Sequence, residues 1–105
     1  MVMYIFTEDQ LNNLVGLANE IGEMKELLYS KESDERYRGA SVMLKSSLPR
    51  YNKLPEGIRE FIKVDISKLE QKAVEILFNS KNREMVSDEL LEKYGYIIKE
   101  KEQKA

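Results

Sequence analysis

The apolar residues of this chain recur at the spacing of an α-helix in four separate stretches. The clearest stretch covers residues 55–79, where apolar positions follow one another three or four residues apart. These positions are Ile62, Ile66, Leu69, Ala73 and Ile76. A helix with this period presents one apolar seam to partner helices. The pattern predicts a single long helix over residues 55–79, around which the rest of the chain is organised.

An alternative interpretation splits this helix in two. Asp65 has a side chain that suits a helix N-cap, and Val64 before it is spaced to contact Leu69 as a hydrophobic staple. A new helix starting there would break the segment near Asp65. Because the apolar spacing continues across this point, the sequence favours one helix, at most bent.

The first helix is predicted over residues 8–29. Thr7 and Gln10 are spaced as in a capping box, and Phe6 can reach Leu11 as a staple. Gly22 lies beside the apolar face, and a glycine in a helix interior costs about 1 kcal/mol relative to alanine. The expected compensation is close approach of another helix at Gly22. The apolar face itself comprises Leu11, Leu14, Val15, Ala18, Ile21, Met24 and Leu28.

The second helix is predicted over residues 34–47. Ser33 suits its N-cap, and Pro49 predicts an end near Ser47, because proline lacks the backbone donor and restricts the residue before it.

The last helix is predicted over residues 88–102, with Ser87 as its N-cap and Val86 stapling to Leu91. Gly95 interrupts its pattern, so a strand over residues 96–98, paired with residues 3–6, remains the alternative. Taken together, the pattern predicts one all-α domain over residues 1–105. It would be a four-helix antiparallel bundle with a short N-terminal apolar arm.

Composition changes this picture mainly through what is missing. The chain has no cysteine and no histidine, so it lacks disulfides, thiolate ligands and the commonest general base. No glycine-rich phosphate loop or metal-ligand spacing is present. The row Glu20, Glu23 and Glu26 is interpreted as a solvated helix face rather than a cation site. We therefore expect no enzyme activity, no cofactor and no metal.

Charge is segregated along the chain although the net charge is only −2. Residues 1–35 carry −6, residues 36–54 carry +5 with no acid, and the remainder carries −1. The basic segment also contains two tyrosines, which can stack on bases. It therefore suits an acidic protein partner or a phosphate backbone, unless it packs against the acidic first helix and is neutralised there. The candidate binding residues are Arg36, Tyr37, Arg38, Lys45, Arg50, Tyr51 and Lys53.

These features predict a small non-enzymatic protein-interaction module, such as a regulator, inhibitor or accessory subunit. The alternative is a nucleic-acid-associated protein that uses the basic second helix. The generous apolar faces predict a homo-oligomer or a part of a larger assembly. The opening apolar run is too short for a signal peptide or a membrane span, which predicts a cytoplasmic protein. The usage of Lys, Glu, Ile and Asn is typical of an AT-rich microbial or phage genome, so a phage or mobile-element origin is expected.

Overall fold

The computed structural model describes residues 5–97, in which every regular element is helical and no strand forms. This confirms the all-α class. None of the described helices is long and apolar enough to cross a membrane. A π-helical turn, Met43–Ser47, joins the second helix to the third, and a 3₁₀ turn, Arg83–Met85, precedes the last. The α-helices are α1 (Glu8–Leu28), α2 (Ser33–Val42), α3 (Leu48–Asn52), α4 (Glu56–Arg59), α5 (Ile66–Phe78) and α6 (Asp88–Lys93).

Helix α1 matches its prediction to within one residue at its C-terminal end. The capping box is present: the backbone N–H of Gln10 donates to Oγ1 of Thr7 at 3.1 Å, and the N–H of Thr7 donates to Oε1 of Gln10 at 2.9 Å. Its apolar face is narrower than predicted, however. Leu11 and Val15 were placed on the core face, but they remain 47% and 51% exposed. The buried face consists of Leu14, Leu17, Ile21 and Leu28.

Helices α1 and α2 approach each other most closely at Gly39. A Cβ atom at this position would lie 2.7 Å from Cβ of Leu27 and 3.1 Å from the carbonyl oxygen of Met24. The glycine therefore allows the backbone of α2 to lie against α1, with Ala40 fully buried beside it. No described helix of this chain makes the predicted close approach at Gly22, since a Cβ there would meet nothing within 4 Å.

The predicted single helix over residues 55–79 is also wrong. The segment forms the short helix α4, a turn, and then α5, which begins after Asp65. Asp65 is extended, and its Oδ1 accepts a hydrogen bond from the backbone N–H of Lys68 at 3.2 Å. Because aspartate is favourable at an N-cap and unfavourable inside a helix, local capping prevailed over the continuous apolar spacing. The break also lets Ile62 be buried while Phe61 faces outward.

The predicted bounds of the second helix, residues 34–47, are corrected at both ends. The helix begins at Ser33, after an N-cap at Glu32 that has no side-chain bond. Helical backbone then continues past Pro49 to Asn52 by way of the π turn. The N–H of Leu48 donates to the carbonyl of Met43, five residues back. The wider turn leaves room for the proline ring, which a regular α-helix would not accommodate.

Helix α6 is shorter than the predicted span of residues 88–102. It starts as expected, with the Ser87 side chain accepting a bond from the N–H of Leu90, but it ends at Lys93. Gly95 follows with a φ of +80°, and the N–H of Tyr96 donates to the carbonyl of Leu91 at 2.8 Å. This is a Schellman stop. Tyr96 and Ile97 are not in a strand, and the rest of the strand alternative lies outside the described residues.

The core lies where α2 is held between α1 and α5. The smallest principal extent is 18 Å, about the thickness of two packed helices. In so thin a molecule each helix keeps one side in water. The buried apolar side chains are Leu14, Leu17, Ile21, Leu28, Ala40, Met43, Leu48, Ile62, Leu69, Ala73, Val74, Leu77, Val86 and Leu91.

Replacing Gly39 by alanine should lower the free energy of unfolding by about 1–3 kcal/mol, because the added methyl group forces α1 and α2 apart. The control is Gly16→Ala, at an exposed mid-helix position where a Cβ meets nothing within 4 Å. That change should raise stability by up to about 1 kcal/mol through helix propensity. Urea unfolding followed by circular dichroism measures both. A Gly39→Ala protein as stable as the control would contradict the close approach.

Candidate interaction site

The structure divides the predicted basic segment into engaged and exposed side chains. Arg36 is engaged: its Nη1 donates to the carbonyl oxygen of Ser30 at 2.8 Å and to that of Lys31 at 3.0 Å. These carbonyls follow the C-terminus of α1, where the helix dipole favours a cation. Arg36 therefore stabilises the turn between α1 and α2, close to the C-terminus of α1.

The two predicted tyrosines are half-buried rather than presented for stacking. The hydroxyl of Tyr37 donates to Sδ of Met85 at 3.3 Å, which joins α2 to the 3₁₀ turn. The ring of Tyr51 lies 5.8 Å from the guanidinium carbon of Arg59. Arg59 in turn donates from Nε to the carbonyl of Leu54 at 2.9 Å. Both rings are thus used within the fold.

Arg50 belongs to a polar cluster centred on Glu20 of α1. Oε2 of Glu20 accepts hydrogen bonds from Nη2 of Arg50 at 2.5 Å and from Oγ of Ser47 at 2.5 Å. Oγ of Ser46 lies 3.3 Å from the same oxygen. Ser47 is fully buried, so its hydroxyl would lack a partner without this carboxylate. The cluster ties α1 to the junction of α2 and α3.

The π turn explains why two consecutive serines reach one oxygen. In a regular α-helix, neighbouring residues point about 100° apart. The wider π turn reduces this angle, so Ser46 and Ser47 both face α1. Nε of Arg50 also lies 3.4 Å from the carbonyl of Ser46. The same proline-adapted turn therefore builds the Glu20 cluster.

The electrostatics of Glu20 follow from this geometry. Partial burial raises the pKa of the Glu20 carboxyl, but it is outweighed by the hydrogen bonds from Ser47 and Arg50 and by the Arg50 charge. The net result is a pKa below the usual value of 4.5. The ionised carboxylate is thus the form that the fold stabilises.

A groove of about 570 Å³ opens next to this cluster, between the N-terminal half of α1 and the region of α3 and α4. Its walls are mainly apolar, and its polar groups come from Gln10, Asn13 and Arg50. Leu14 and Leu17 form the α1 wall. The opposite wall and the end near the N-terminus contain Ile5, Phe6, Leu54, Pro55 and Ile58.

Three of the predicted cations remain in water. Arg38, Lys45 and Lys53 are exposed, and within residues 5–97 none makes an ion pair or a side-chain hydrogen bond. Arg38 and Lys45 are seven residues apart, so they lie on the same side of the α2–π helix. Lys53 directly precedes Leu54 in the groove wall. These cations extend from the groove along one helical ridge.

The acidic row of α1 does not form a cation site in the structure. Glu20 is bonded to Arg50 and the two serines, and the residues described contain no cluster of three or more side chains suited to hold a metal ion.

Sequence reasoning missed Glu20 and the groove as parts of the site. The available signal was the concentration of acids in residues 1–35 and of bases in residues 36–54. This distribution suggested that the first helix neutralises part of the basic segment. It could not identify Glu20 among eight acids. The groove had no signal, because it depends on a helix continuing past Pro49 and ending before Leu54.

No family model, curated protein or solved structure matches this chain. The functional argument accordingly rests on the groove and on the cations beside it.

The Glu20 cluster should make stability depend on pH. Since the folded-state pKa of Glu20 is lowered, its contribution is fully present above about pH 4.5 and is lost as the pH falls through the folded value. Glu20→Gln should cost about 1–2 kcal/mol at neutral pH. Between pH 6 and pH 3 the difference from wild type should shrink only below about pH 4.5. Urea midpoints across this range measure it, with the exposed Glu23→Gln as control. A constant difference would contradict the assigned ionisation.

Arg36 and Arg38 should differ in their effect on stability although they lie on the same helix. Arg36→Ala removes the two bonds to the carbonyls of Ser30 and Lys31, which follow α1, and should cost about 1–2 kcal/mol. Arg38→Ala should stay within about 0.5 kcal/mol of wild type, as for other exposed positions. Urea unfolding compares them directly. Equal losses of stability in the two variants would contradict the structural role of the Arg36 bonds.

Proposed function

We propose that this chain is a small non-enzymatic interaction module of the cytoplasm that binds an acidic, amphipathic segment of a protein partner. It would act as a regulator, inhibitor or accessory subunit. The observation that carries the proposal is the apolar groove between α1 and the α3–α4 region. The absence of cysteine and histidine from the sequence supports a binding role over catalysis.

The groove has the physical properties of a site for apolar anchors. Its volume falls within the range of about 300–1,000 Å³ that is typical of ligand pockets. Leu14 and Leu17 are buried at its α1 wall, while Ile5 at its rim is 88% exposed. A partner side chain entering the groove would cover apolar surface that water now contacts, which is the main source of binding free energy at such sites.

Charge selects the class of partner. Arg50 stands at the groove, and Lys53, Lys45 and Arg38 continue along the same helical ridge with no acid between residues 36 and 54. The opposing α1 wall offers the uncharged side chains of Gln10 and Asn13. A helix with apolar residues on one face and acids beside them would match both features.

The second candidate is binding to a phosphate backbone by the same ridge. Arg38, Lys45 and Lys53 are exposed and could contact phosphates. Arg36 is bonded to the turn after α1, and Arg50 is paired with Glu20. Three contacts would give a salt slope of only about −2.7. The half-buried tyrosines add no open stacking surface. This candidate therefore has less support than a protein partner.

Site-specific photo-crosslinking tests the groove. A benzophenone amino acid replaces Asn13 at the groove rim, and the control carries it at Glu23, an exposed position about 15 Å further along α1 and outside the groove lining. Irradiation in the native lysate should give one discrete adduct for position 13 only. Mass spectrometry should assign the crosslinked peptide to an acidic, amphipathic segment. An adduct that is equal at both positions, or a basic peptide, would refute the proposal.

The ridge is tested in the same assay. Lys45→Glu with Lys53→Glu should reduce the position-13 adduct about tenfold, because two attractive charges become repulsive. The exposed Lys81→Glu should leave it unchanged. Retention of a duplex oligonucleotide at 50 mM salt that the double variant abolishes would instead support the second candidate.

A further inference from the structure

Helix α1 carries a second seam on the side away from the groove. The members of this second seam follow one another at intervals of three and four residues. We name it the outer seam. Such alternation is the repeat by which two helices pack as a coiled coil. Its four central members are uncharged, and its two ends carry opposite charges. The outer seam consists of Glu8, Leu11, Val15, Ala18, Gly22 and Lys25.

In the described structure most of the outer seam is exposed, and Ala18 is partly buried at the edge of the core. Leu11 and Val15 are 47% and 51% exposed, and Glu8, Gly22 and Lys25 are exposed as well. The buried residues of α1 lie roughly 100° away around the helix. Gly22 provides open space within this seam, as Gly16 does on another side of α1. It weakens the middle of a 21-residue helix, and nothing in the described structure lies within 4 Å of a Cβ built on it.

We infer that the outer seam binds the outer seam of a second copy of this chain in antiparallel orientation. With the two-fold axis between residues 16 and 17, Leu11 faces Gly22 of the second copy. Val15 then faces Ala18, and Glu8 faces Lys25. Each large side chain meets a small one, and each end of the seam meets the opposite charge. Because the two copies are related by a two-fold axis, each of these contacts occurs twice in the interface.

The orientation follows from size and charge. A parallel pair in register would place Glu8 beside Glu8 and Lys25 beside Lys25. It would also set Leu11 against Leu11 and leave a gap between two copies of Gly22. Like charges and unfilled space are both unfavourable, so the antiparallel pair is the complementary one.

The acidic character of α1 does not oppose this pairing. The outer flank of the seam carries Asn12 and Asn19, which are uncharged and can hydrogen-bond to each other across the interface. Glu20 is turned the other way, toward Ser47 and Arg50. The Glu20 carboxylate is therefore kept out of the contact.

This surface is separate from the groove. The groove uses Asn13 and Leu17 on one side of α1, whereas the seam uses Leu11 and Val15 on the other. About six side chains per copy is well below the 20–30 residues per side of a standard interface. A dissociation constant in the micromolar range is therefore expected. Dimer formation does not depend on the partner proposed for the groove.

Sedimentation equilibrium of the full chain between 5 and 500 µM tests the dimer. Wild type should show a concentration-dependent dimer, and Val15→Asp should raise its dissociation constant at least about 100-fold. Asn13→Asp places the same charge two residues away, on the groove side of α1, and should stay within about threefold. Circular dichroism checks that both variants remain helical. A monomer at 500 µM, or equal weakening by both variants, would overturn the proposal.

Disulfide trapping tests the orientation. Because the chain contains no cysteine, only the introduced residues can form a disulfide. Leu11→Cys and Gly22→Cys proteins are prepared separately and then mixed under mild oxidation. The antiparallel pair predicts a linked dimer in the mixture and none from either protein alone, because identical positions would lie about 16 Å apart along the axis. A linked dimer from Leu11→Cys alone would indicate parallel pairing and overturn the proposal.

Discussion

The close approach of α1 and α2 at Gly39 is the constraint on which the rest of the structure depends. With no side chain at this position, the backbone of α2 lies against Met24, Leu27 and Leu28 of α1. This contact sets one register for the two antiparallel helices. Toward the turn, the register places Arg36 at the carbonyls of Ser30 and Lys31, just beyond α1. In the other direction it brings the end of the π turn to Glu20. A shift of one helical turn would break all of these contacts.

The π turn accommodates Pro49 and also connects the α2–α3 segment to α1. Pro49 cannot continue a regular helix, and the wider turn before it resolves the clash while keeping the chain helical as far as Asn52. The same turn brings Ser46 and Ser47 to one carboxylate oxygen. The members of this cluster stabilise one another. Glu20 accepts the hydrogen bond from the buried Ser47 hydroxyl, and the Arg50 charge stabilises the Glu20 carboxylate. The apolar groove lies directly beyond this cluster, so its far wall is positioned by it.

The sequence predicted elements well where a signal was local and unopposed. The capping box of Thr7 and Gln10 and the N-cap of Ser87 are examples, and both are present. It failed where two signals competed. At Asp65 a capping preference opposed a continuous apolar seam, and at Pro49 a helix breaker opposed a π turn that no residue pattern announces. The site was predicted only in part, because charge segregation located the basic helix but not which cations are bonded. Arg36 and Arg38 look equivalent in sequence, and only the α1–α2 register separates them.

The width of the apolar face of α1 has a structural explanation. The molecule is only 18 Å thick, so the other helices cover just one side of α1. The apolar residues of α1 occupy a wider face than that side. Packing against α2 and the neighbouring segments uses the inner part, with Ile21 and Leu28 fully buried. Leu11 and Val15 remain outside it, so a face that looks continuous in sequence is divided in two by the register at Gly39. Folding a short chain around so few buried residues thus leaves the same helix with a groove on one flank and an uncovered seam on the other. An apolar surface that the chain cannot cover itself is a surface on which association lowers the free energy.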